Sequence, residues 1–226
     1  MTEITPKFMP LWPIPFGFVN FGESFRDLNK KLIIDIEFDK ENSEGKRNTF
    51  TKNNSGWQSK TGMETKYDSF KKLSAEIFKY ALPIIHSSGV SKTQKLNIGS
   101  LWANLIFAPG GFSNPHIHGS GDTIWSGVYY PKGVSEKPNL DNFERQKYFG
   151  YGIPDDATGV LVCKDSNISK RIVKFPMDSQ QFYSGNFSII PRESLLVLFP
   201  AWMEHFVTPT TDNSKRYSIS FAINKV

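Results

Sequence analysis

The chain has 226 residues, of which 38% are hydrophobic, and this suits one globular domain with a sizeable core better than two domains. Its formal net charge of +5 permits attraction to nucleic acid or to a small anion but establishes neither. The single cysteine, Cys163, excludes an internal disulfide, and no segment approaches the roughly 20 apolar residues of a membrane span. We therefore expect a cytoplasmic protein with no signal peptide and no membrane contact.

The first 94 residues predict helices and one covering strand. The segment Leu11–Phe21 is apolar and aromatic, but its two prolines cannot donate ladder hydrogen bonds, so an edge strand is expected. A helix is predicted to begin after Ser24, and a second helix to run from Asp68 or Ser69 to Pro83. The polar stretch Lys40–Thr65 between them contains a turn signal and is predicted to be a long loop.

From residue 95 onward the hydrophobic period changes to two. Leu96–Phe107 is predicted to be a strand buried on both faces, because apolar residues occupy both sets of alternate positions. Asn104 is a polar group in this apolar strand and therefore needs partners. Its amide is expected either to bridge backbone groups or to bind a ligand carboxylate.

The stretch Asn114–Pro131 is predicted to form a strand, a turn and a second strand, and it contains two of the four histidines. His116 and His118 are two residues apart, a spacing that turns both imidazoles to the same face of an extended strand. Taken alone, such a pair of histidines is more often exposed at the surface or hydrogen-bonded than bound to a metal ion. The remote His205 completes the ligand pattern of a mononuclear metal site on a β-barrel, with positions left open for substrate or oxygen.

The segment Pro131–Thr158 is predicted to be irregular, and it is too long for an ordinary connection in a compact domain. It contains Tyr148, Phe149 and Tyr151 beside glycines, which suits a lid that excludes water from a reaction. A dimer contact, and hence a homodimer, is the alternative, because exposed aromatic clusters also mark interfaces.

The remainder of the chain predicts many short strands at a regular spacing. Such a series after helices indicates a mainly β protein of the jelly-roll type, with residues 1–94 as helices and covering strand and 95–226 as the core of a single domain. The predicted strands are Gly159–Cys163, Arg171–Phe175, Phe187–Ile190 and Leu195–Phe199, followed by a hairpin of Glu204–Pro209 with Arg216–Asn224.

The predicted hairpin places a cation near the third histidine. If Thr211–Ser214 form its turn, His205 opposes Ser220, and Arg216 and Ser218 share the same face of the sheet. Arg216 would then lie four residues, about 13 Å, from the histidine position along the strand. A guanidinium binds carboxylates in a bidentate manner, so the gap would suit a short dicarboxylate.

Several separated sequence blocks resemble those of a known family, the 2-oxoglutarate and iron(II)-dependent oxygenases marked by His-x-His followed by Trp-Ser-Gly-Val-Tyr-Tyr. The resemblance covers nearly the whole chain except Pro131–Thr158. The matching pieces are Trp57 after Ser55-Gly56, Trp102-Ala-Asn104, His116-Ile-His118, Trp125-Ser-Gly-Val-Tyr-Tyr130, Leu198-Phe-Pro-Ala-Trp202, His205 and Arg216-Tyr-Ser-Ile-Ser-Phe221.

The resemblance implies a double-stranded β-helix with N-terminal helices packed on it and iron at one open end. It implies that His116, His118 and His205 hold Fe(II) and that Arg216 with Ser218 holds the distal carboxylate of 2-oxoglutarate. Asn104 would contact the iron-side carboxylate. The implied reaction uses O2, converts 2-oxoglutarate to succinate and hydroxylates a C–H bond of a substrate.

One position departs from the pattern of the wider superfamily, which has His-x-Asp or His-x-Glu where this chain has His118. A neutral imidazole leaves the metal site more positive than a carboxylate would. Asp122 is close in sequence, but the preceding Gly119–Gly121 is expected to turn it away. Three histidines are therefore preferred over two histidines with Asp122.

Three functions remain open from the sequence. The first is a 2-oxoglutarate-dependent Fe(II) oxygenase, which Arg216 and Ser218 favour. The second is a three-histidine cupin-type iron dioxygenase that does not use 2-oxoglutarate, and the third is a non-catalytic jelly-roll binding module. The substrate, whether a small molecule or a macromolecule such as nucleic acid, is not identified by the sequence.

Overall fold

The computed structural model describes residues 14–47, 55–119, 121–134, 149–151, 153, 158–167 and 184–226. Within these residues, two antiparallel sheets face each other and helices pack on the outer face of the larger sheet. In the described part of the chain, no helix combines the length and the apolar character that crossing a membrane requires.

The helices precede most of the strands, as the sequence predicts. They are α1 (Arg26–Asn42), which follows a 3-10 turn at Gly22–Phe25, then α2 (Met63–Lys66) and α3 (Asp68–Ser87). Helix α3 continues one turn beyond Pro83, where the sequence predicted its end. The side chain of Ile85 is fully buried in the core, and its burial favours the helical conformation of this last turn.

The larger sheet has seven strands and the smaller sheet has five, numbered here in chain order. In spatial order the larger sheet contains β1 (Gly17–Asn20), β10 (Leu195–Pro200), β6 (Thr123–Tyr130), β12 (Arg216–Lys225), β4 (Leu96–Ile106), β3 (Gly56–Gln58) and β2 (Lys46–Arg47). The smaller sheet contains β5 (Ser113–His116), β11 (His205–Val207), β8 (Leu161–Lys164), β9 (Asn186–Ile189) and β7 (Phe149–Tyr151).

The alternation of side chains along the strands divides the core into two layers. On β12, Tyr217, Ile219 and Phe221 pack toward the helices, whereas Arg216 and Ser218 face the space between the sheets. This division is the one that the sequence predicts for this strand. The second apolar layer, between the sheets, includes Val128, Phe199 and Val207.

The predicted hairpin of residues 204–224 is wrong, because β11 and β12 belong to different sheets. Strand β11 pairs with β5 and β8, whereas β12 pairs with β4 and β6, so each finds ladder partners on both sides. The connection between them crosses from one sheet to the other. It is held by the backbone amide of Thr208, bonded to the carbonyl of Val160, and that of Thr210, bonded to the carbonyl of Gly111.

The sequence predicted that β4 is buried on both faces, but only one of its faces is fully buried. Its Leu101, Ala103 and Leu105 are fully buried against the helices, but Trp102 and Asn104 on the other face line a cavity and are half-buried. The sequence pattern does not distinguish a strand buried on both faces from a strand with one face on a cavity. Large side chains line a cavity wall as well as a packed interior.

Two predicted irregular segments contain regular structure. The predicted loop Lys40–Thr65 includes β2, β3 and the start of α2, because the short strand β3 pairs with β4 and buries Trp57. Within Pro131–Thr158, β7 pairs with β9, so the backbone of Phe149–Tyr151 is part of a sheet and not of a free lid. Residues 135–148, with Tyr148, and the strand predicted at Arg171–Phe175 lie outside the described residues.

Candidate active site

A cavity of about 740 Å³ lies between the two sheets. Its lining includes His116, His118 and His205 at one end, where His116 and His118 are half-buried and the intervening Ile117 is 53% exposed. Arg216 lies at the other end and is only 5% exposed. The histidines therefore mark the open end of the cavity and the arginine its closed end.

The pairing of β5 with β11 brings the histidines together. His116 and His205 are direct partners across these antiparallel strands, so their side chains share one face, and the ring centres are 4.3 Å apart. His118 follows the end of β5, where its backbone N–H donates to the carbonyl of Ala201 at 2.9 Å. Its Nε2 atom is 3.2 Å from that of His205.

The three imidazoles form a group that could hold a metal ion. One ring nitrogen from each lies within 4.8 Å of the others, and this is the group of potential ligands that the described residues contain. Asp122 is not part of it, because its carboxylate is exposed and lies 3.6 Å from the ammonium group of Lys225. This position agrees with the preference for three histidines over two histidines and Asp122.

Backbone carbonyls orient two of the imidazoles. His116 Nδ1 lies 2.7 Å from the carbonyl oxygen of Asn114, and His205 Nδ1 lies 2.9 Å from that of Met203. A carbonyl only accepts, so each Nδ1 carries the proton and each Nε2 keeps its lone pair. Metal-binding histidines are commonly held in this way, with the second nitrogen donating to a carbonyl.

Burial keeps the inner imidazoles neutral. Burial, with a smaller contribution from the neighbouring His116, lowers the pKa of His118 to about 4 and that of His205 to about 3. A neutral imidazole is the form that binds a metal ion. Both side chains are therefore ready to act as ligands at neutral pH without losing a proton.

The metal-free protein is expected to lose thermal stability as the pH falls from about 7 to about 5, because the unfolded chain binds protons before the folded chain does. His118 and His205 contribute fully to the free energy of unfolding above the ordinary histidine pKa of 6.5. This contribution is lost as the pH falls toward the pKa values that they have in the folded protein. The melting temperature of chelator-treated protein, measured across this range, checks the expectation. The variant His118→Ala should show a weaker pH dependence, and an equal dependence in both proteins would contradict it.

The closed end of the cavity holds a buried cation. The Arg216 Nε donates to the carbonyl of Gly159 at 2.7 Å, and its Nη1 donates to the hydroxyl of Ser218 at 2.9 Å. Burial lowers the pKa of Arg216, yet a guanidinium keeps its charge in proteins. No carboxylate of the described residues pairs with it, so a buried positive charge faces the cavity without a counter-ion.

A tyrosine beside this cation also has hydrogen-bonding capacity to spare. The guanidinium carbon of Arg216 lies 5.4 Å from the ring centre of Tyr130, which is fully buried. Among the described residues, the Tyr130 hydroxyl makes no hydrogen bond of ordinary geometry. Burial raises its pKa to about 12, although the Arg216 cation opposes this rise, so the hydroxyl is a donor. A hydroxyl donor beside a cation that has no counter-ion suits an anionic ligand.

Asn104 lies between the two ends of the cavity. Its amide nitrogen donates to the hydroxyl of Ser220 at 3.0 Å, so the side chain bonds to a side chain and not to the backbone. Asn104 is opposite Ser218 in the register of β4 and β12, and Trp102 is opposite Ser220. The Trp102 ring centre is 5.5 Å from that of His118, which places Trp102 at the histidine end.

The sequence did not single out three residues that line this cavity. Tyr130 could have been found from the period-two pattern of β6, because it shares the cavity face with Val128. Gln58 and Thr61 fall in the segment predicted to be a loop, which carries no periodic signal. Their position follows from the pairing of β3 with β4, a contact between residues distant in sequence.

Two facing antiparallel sheets, a three-histidine cluster at the open end and a buried arginine at the closed end define a jelly-roll protein with a candidate mononuclear metal centre. Residues 100–222 match the family described as "Putative 2OG-Fe(II) oxygenase", and the chain belongs to this family of 2-oxoglutarate and Fe(II)-dependent oxygenases. No curated protein gives a significant match.

Three solved enzyme structures illustrate the similarity of fold. A prolyl-4-hydroxylase from Pseudomonas putida has a TM-score of 0.63 at 13% sequence identity, covering 94% of this chain and 94% of its own. The non-haem α-ketoglutarate-dependent epimerase SnoN from nogalamycin biosynthesis has a TM-score of 0.62 at 10% identity, covering 93% of this chain and 76% of its own. HygX from Streptomyces hygroscopicus, with nickel and 2-oxoglutarate bound, has a TM-score of 0.56 at 10% identity, covering 93% and 83%. The predicted double-stranded β-helix is thereby confirmed.

Proposed function

We propose that the chain is an oxygenase in which His116, His118 and His205 hold one Fe(II) and in which Arg216 with Ser218 binds the distal carboxylate of 2-oxoglutarate. The reaction hydroxylates a C–H bond of a substrate, with O2 as the oxidant and succinate and CO2 as co-products. The observation that carries the proposal is the buried Arg216 cation, which faces the cavity that also contains the three histidines.

The residues of the cavity fit both Fe(II) and 2-oxoglutarate. Three imidazoles supply nitrogen donors suited to iron. They fill only three of the six positions of an octahedral ion, so positions stay open for other ligands. The Arg216 guanidinium, which has no counter-ion among the described residues, and the Tyr130 hydroxyl supply donors suited to a carboxylate. Iron, when bound, supplies the activation of O2.

The side chains of the protein orient the co-substrate and exclude water. Arg216 is fixed by Gly159 and Ser218, so its guanidinium keeps one orientation before a carboxylate arrives. Asn104, between the two ends, would contact the carboxylate nearer the histidines. The apolar side chain of Phe199, with its ring 4.8 Å from that of His205, excludes water from this end.

One observation favours a second candidate function. The histidine cluster contains no carboxylate, so a divalent metal would keep its full charge there, unlike in a site with two histidines and one acid. A three-histidine dioxygenase that does not use 2-oxoglutarate has this ligand set. Titration of the anaerobic Mn(II) protein with 2-oxoglutarate separates the two functions, because only the first binds it in the cavity.

The variant Tyr130→Phe is expected to weaken 2-oxoglutarate binding by roughly tenfold, since a hydrogen bond to a charged group contributes about 1.5–3 kcal/mol. It should lower the melting temperature of the ligand-free protein little, because the hydroxyl makes no hydrogen bond of ordinary geometry among the described residues. Calorimetric titration and thermal unfolding measure the two effects.

The neighbouring tyrosine provides a matched control. The hydroxyl of Tyr129 donates to the side chain of Asn29 at 2.5 Å on the helical side of the sheet. Tyr129→Phe should therefore lower the melting temperature and leave the affinity for 2-oxoglutarate unchanged. Equal affinities of the wild type and Tyr130→Phe would contradict a role of the Tyr130 hydroxyl in binding the carboxylate.

A further inference from the structure

One wall of the cavity has no part in the proposed metal or 2-oxoglutarate contacts. It consists of Gln58 at the end of β3, Thr61 in the turn that follows, and Trp102 of β4, and we refer to these three residues as the β3–β4 wall. Trp102 places this wall beside His118, at the open end. A second molecule entering the cavity would contact this wall next to the metal centre.

Hydrogen bonds fix the segment that carries the wall. The backbone N–H of Ser59 donates to the carbonyl of Ala103, and that of Gly62 donates to the carbonyl of Leu101, each at 3.0 Å. The backbone N–H of Ala103 donates to the hydroxyl of Ser59 at 2.9 Å. The side chains of the wall therefore project from a backbone that is anchored to the larger sheet on both sides of Trp102.

The polar groups of the wall are unpaired. The amide of Gln58, the hydroxyl of Thr61 and the indole N–H of Trp102 make no side-chain hydrogen bond within the part of the chain that the structure describes. Gln58 and Trp102 are half-buried, so their polar atoms have reduced access to water. A bound molecule with complementary donors and acceptors would satisfy them.

The charges of the cavity restrict what that molecule can be. Among the described lining residues there is no aspartate, glutamate or lysine, and the one permanently charged side chain is Arg216 at the closed end. Arg216 is engaged by 2-oxoglutarate under the proposed function. A charged substrate group beside the wall would lose hydration without gaining a counter-ion, which is unfavourable.

We propose that the β3–β4 wall binds the substrate that is hydroxylated, and that the part of the substrate entering the cavity is uncharged and contains an amide. This inference rests on the proposed function and adds the chemical class of the substrate. The side-chain amide of Gln58 offers both a donor and an acceptor, as an amide of the substrate does, so the two pair with complementary geometry. The ring of Trp102 covers the flat face of that amide, and Thr61 contributes at the exposed rim.

The inference can be tested with three small alanine derivatives that each contain an amide and that carry different charges. N-acetyl-L-alaninamide is uncharged, N-acetyl-L-alanine is an anion and L-alaninamide is a cation at neutral pH. Each is added to the anaerobic protein loaded with Mn(II) and saturated with 2-oxoglutarate, which keeps Arg216 occupied. Paramagnetic relaxation of the methyl protons of each probe then reports how much of it is bound near the metal centre.

The uncharged probe is expected to show the largest relaxation enhancement, by about tenfold, because burial of one unpaired charge costs more than about 1.4 kcal/mol. Gln58→Ala should reduce its enhancement by roughly two- to tenfold, the effect of one lost hydrogen bond. Trp102→Ala should also reduce it, because the ring that covers the amide is lost. Asn42→Ala, which removes an exposed amide at the end of α1, should leave it unchanged. Thermal unfolding of each variant verifies that it is folded.

Three results would overturn the inference: a charged probe that is relaxed as strongly as the uncharged one, variants of the wall that behave as wild type, or no relaxation of any probe. Failure of the proposed function is detected in an earlier step of the same experiment, when Mn(II) and 2-oxoglutarate are added. It would appear as a wild-type protein that does not bind Mn(II), or that binds Mn(II) but not 2-oxoglutarate, before any probe is added.

Discussion

Replacement of His205 by alanine is expected to lower the affinity of the protein for Fe(II) by more than about a hundredfold, because loss of a residue that merely orients a ligand already costs 10–100-fold. His205 is the most buried of the three histidines and is opposed to His116 across the strand pair. His116→Ala and His118→Ala should have similar effects, since each removes one of three protein ligands. Elemental analysis after anaerobic iron loading and desalting measures the metal content.

The fourth histidine supplies the matched control. His86 lies near the end of α3, where its Nδ1 is 3.0 Å from the carbonyl of Val90, away from the cavity. His86→Ala should bind iron as the wild type does. Retention of iron in folded His205→Ala, or absence of iron from the wild type, would contradict the assignment of the metal site.

Replacement of Arg216 by alanine is expected to weaken 2-oxoglutarate binding by roughly ten- to a hundredfold, since a charge-assisted hydrogen bond contributes about 1.5–3 kcal/mol. Arg216→Lys should have a smaller effect, because lysine keeps the charge but loses the planar pair of donors. Iron should remain bound in both variants, as the histidines lie at the other end of the cavity. Calorimetric titration of the anaerobic Fe(II) or Mn(II) protein measures the affinity.

Loss of the arginine also has a structural effect that must be separated from binding. Arg216→Ala leaves the carbonyl of Gly159 without its donor in a buried place, so a lower melting temperature is expected. Ser218→Ala removes the other contact of the guanidinium while the charge stays, and it should weaken binding less. A metal-loaded wild type that does not bind 2-oxoglutarate would instead favour the three-histidine dioxygenase.

The sequence predicted the faces of β12 from local periodicity, and Tyr217 and Ile219 pack away from Arg216 as alternation requires. This feature needs only the conformation of one strand. The histidine cluster needs more, because His116 ends β5, His118 follows that strand, and His205 joins them through the pairing of β5 with β11. The ligand pattern of the histidines, and not their periodicity, predicted that the three belong together.

The predicted hairpin shows what local periodicity cannot predict, namely which strands are neighbours. It placed His205 and Arg216 on one face of one sheet, but they belong to strands of different sheets and line opposite ends of the cavity between them. The conclusion that they share a cavity was right, and the geometry behind it was wrong. A short polar connection can join strands of one sheet or of two, and only their ladder partners decide between the two arrangements.

The location of the two anchors at opposite ends of the cavity has a consequence for selectivity. A molecule that contacts both Arg216 and a metal ion at the histidines must extend along the cavity from its closed end to its open end. The side chains packed between the sheets, such as Val128 and Val207, set the width of this path and not its length. Under the proposed function, discrimination between dicarboxylates of different chain length is therefore a property of the position of Arg216 along the cavity, and a longer or shorter diacid could bind one anchor but not both.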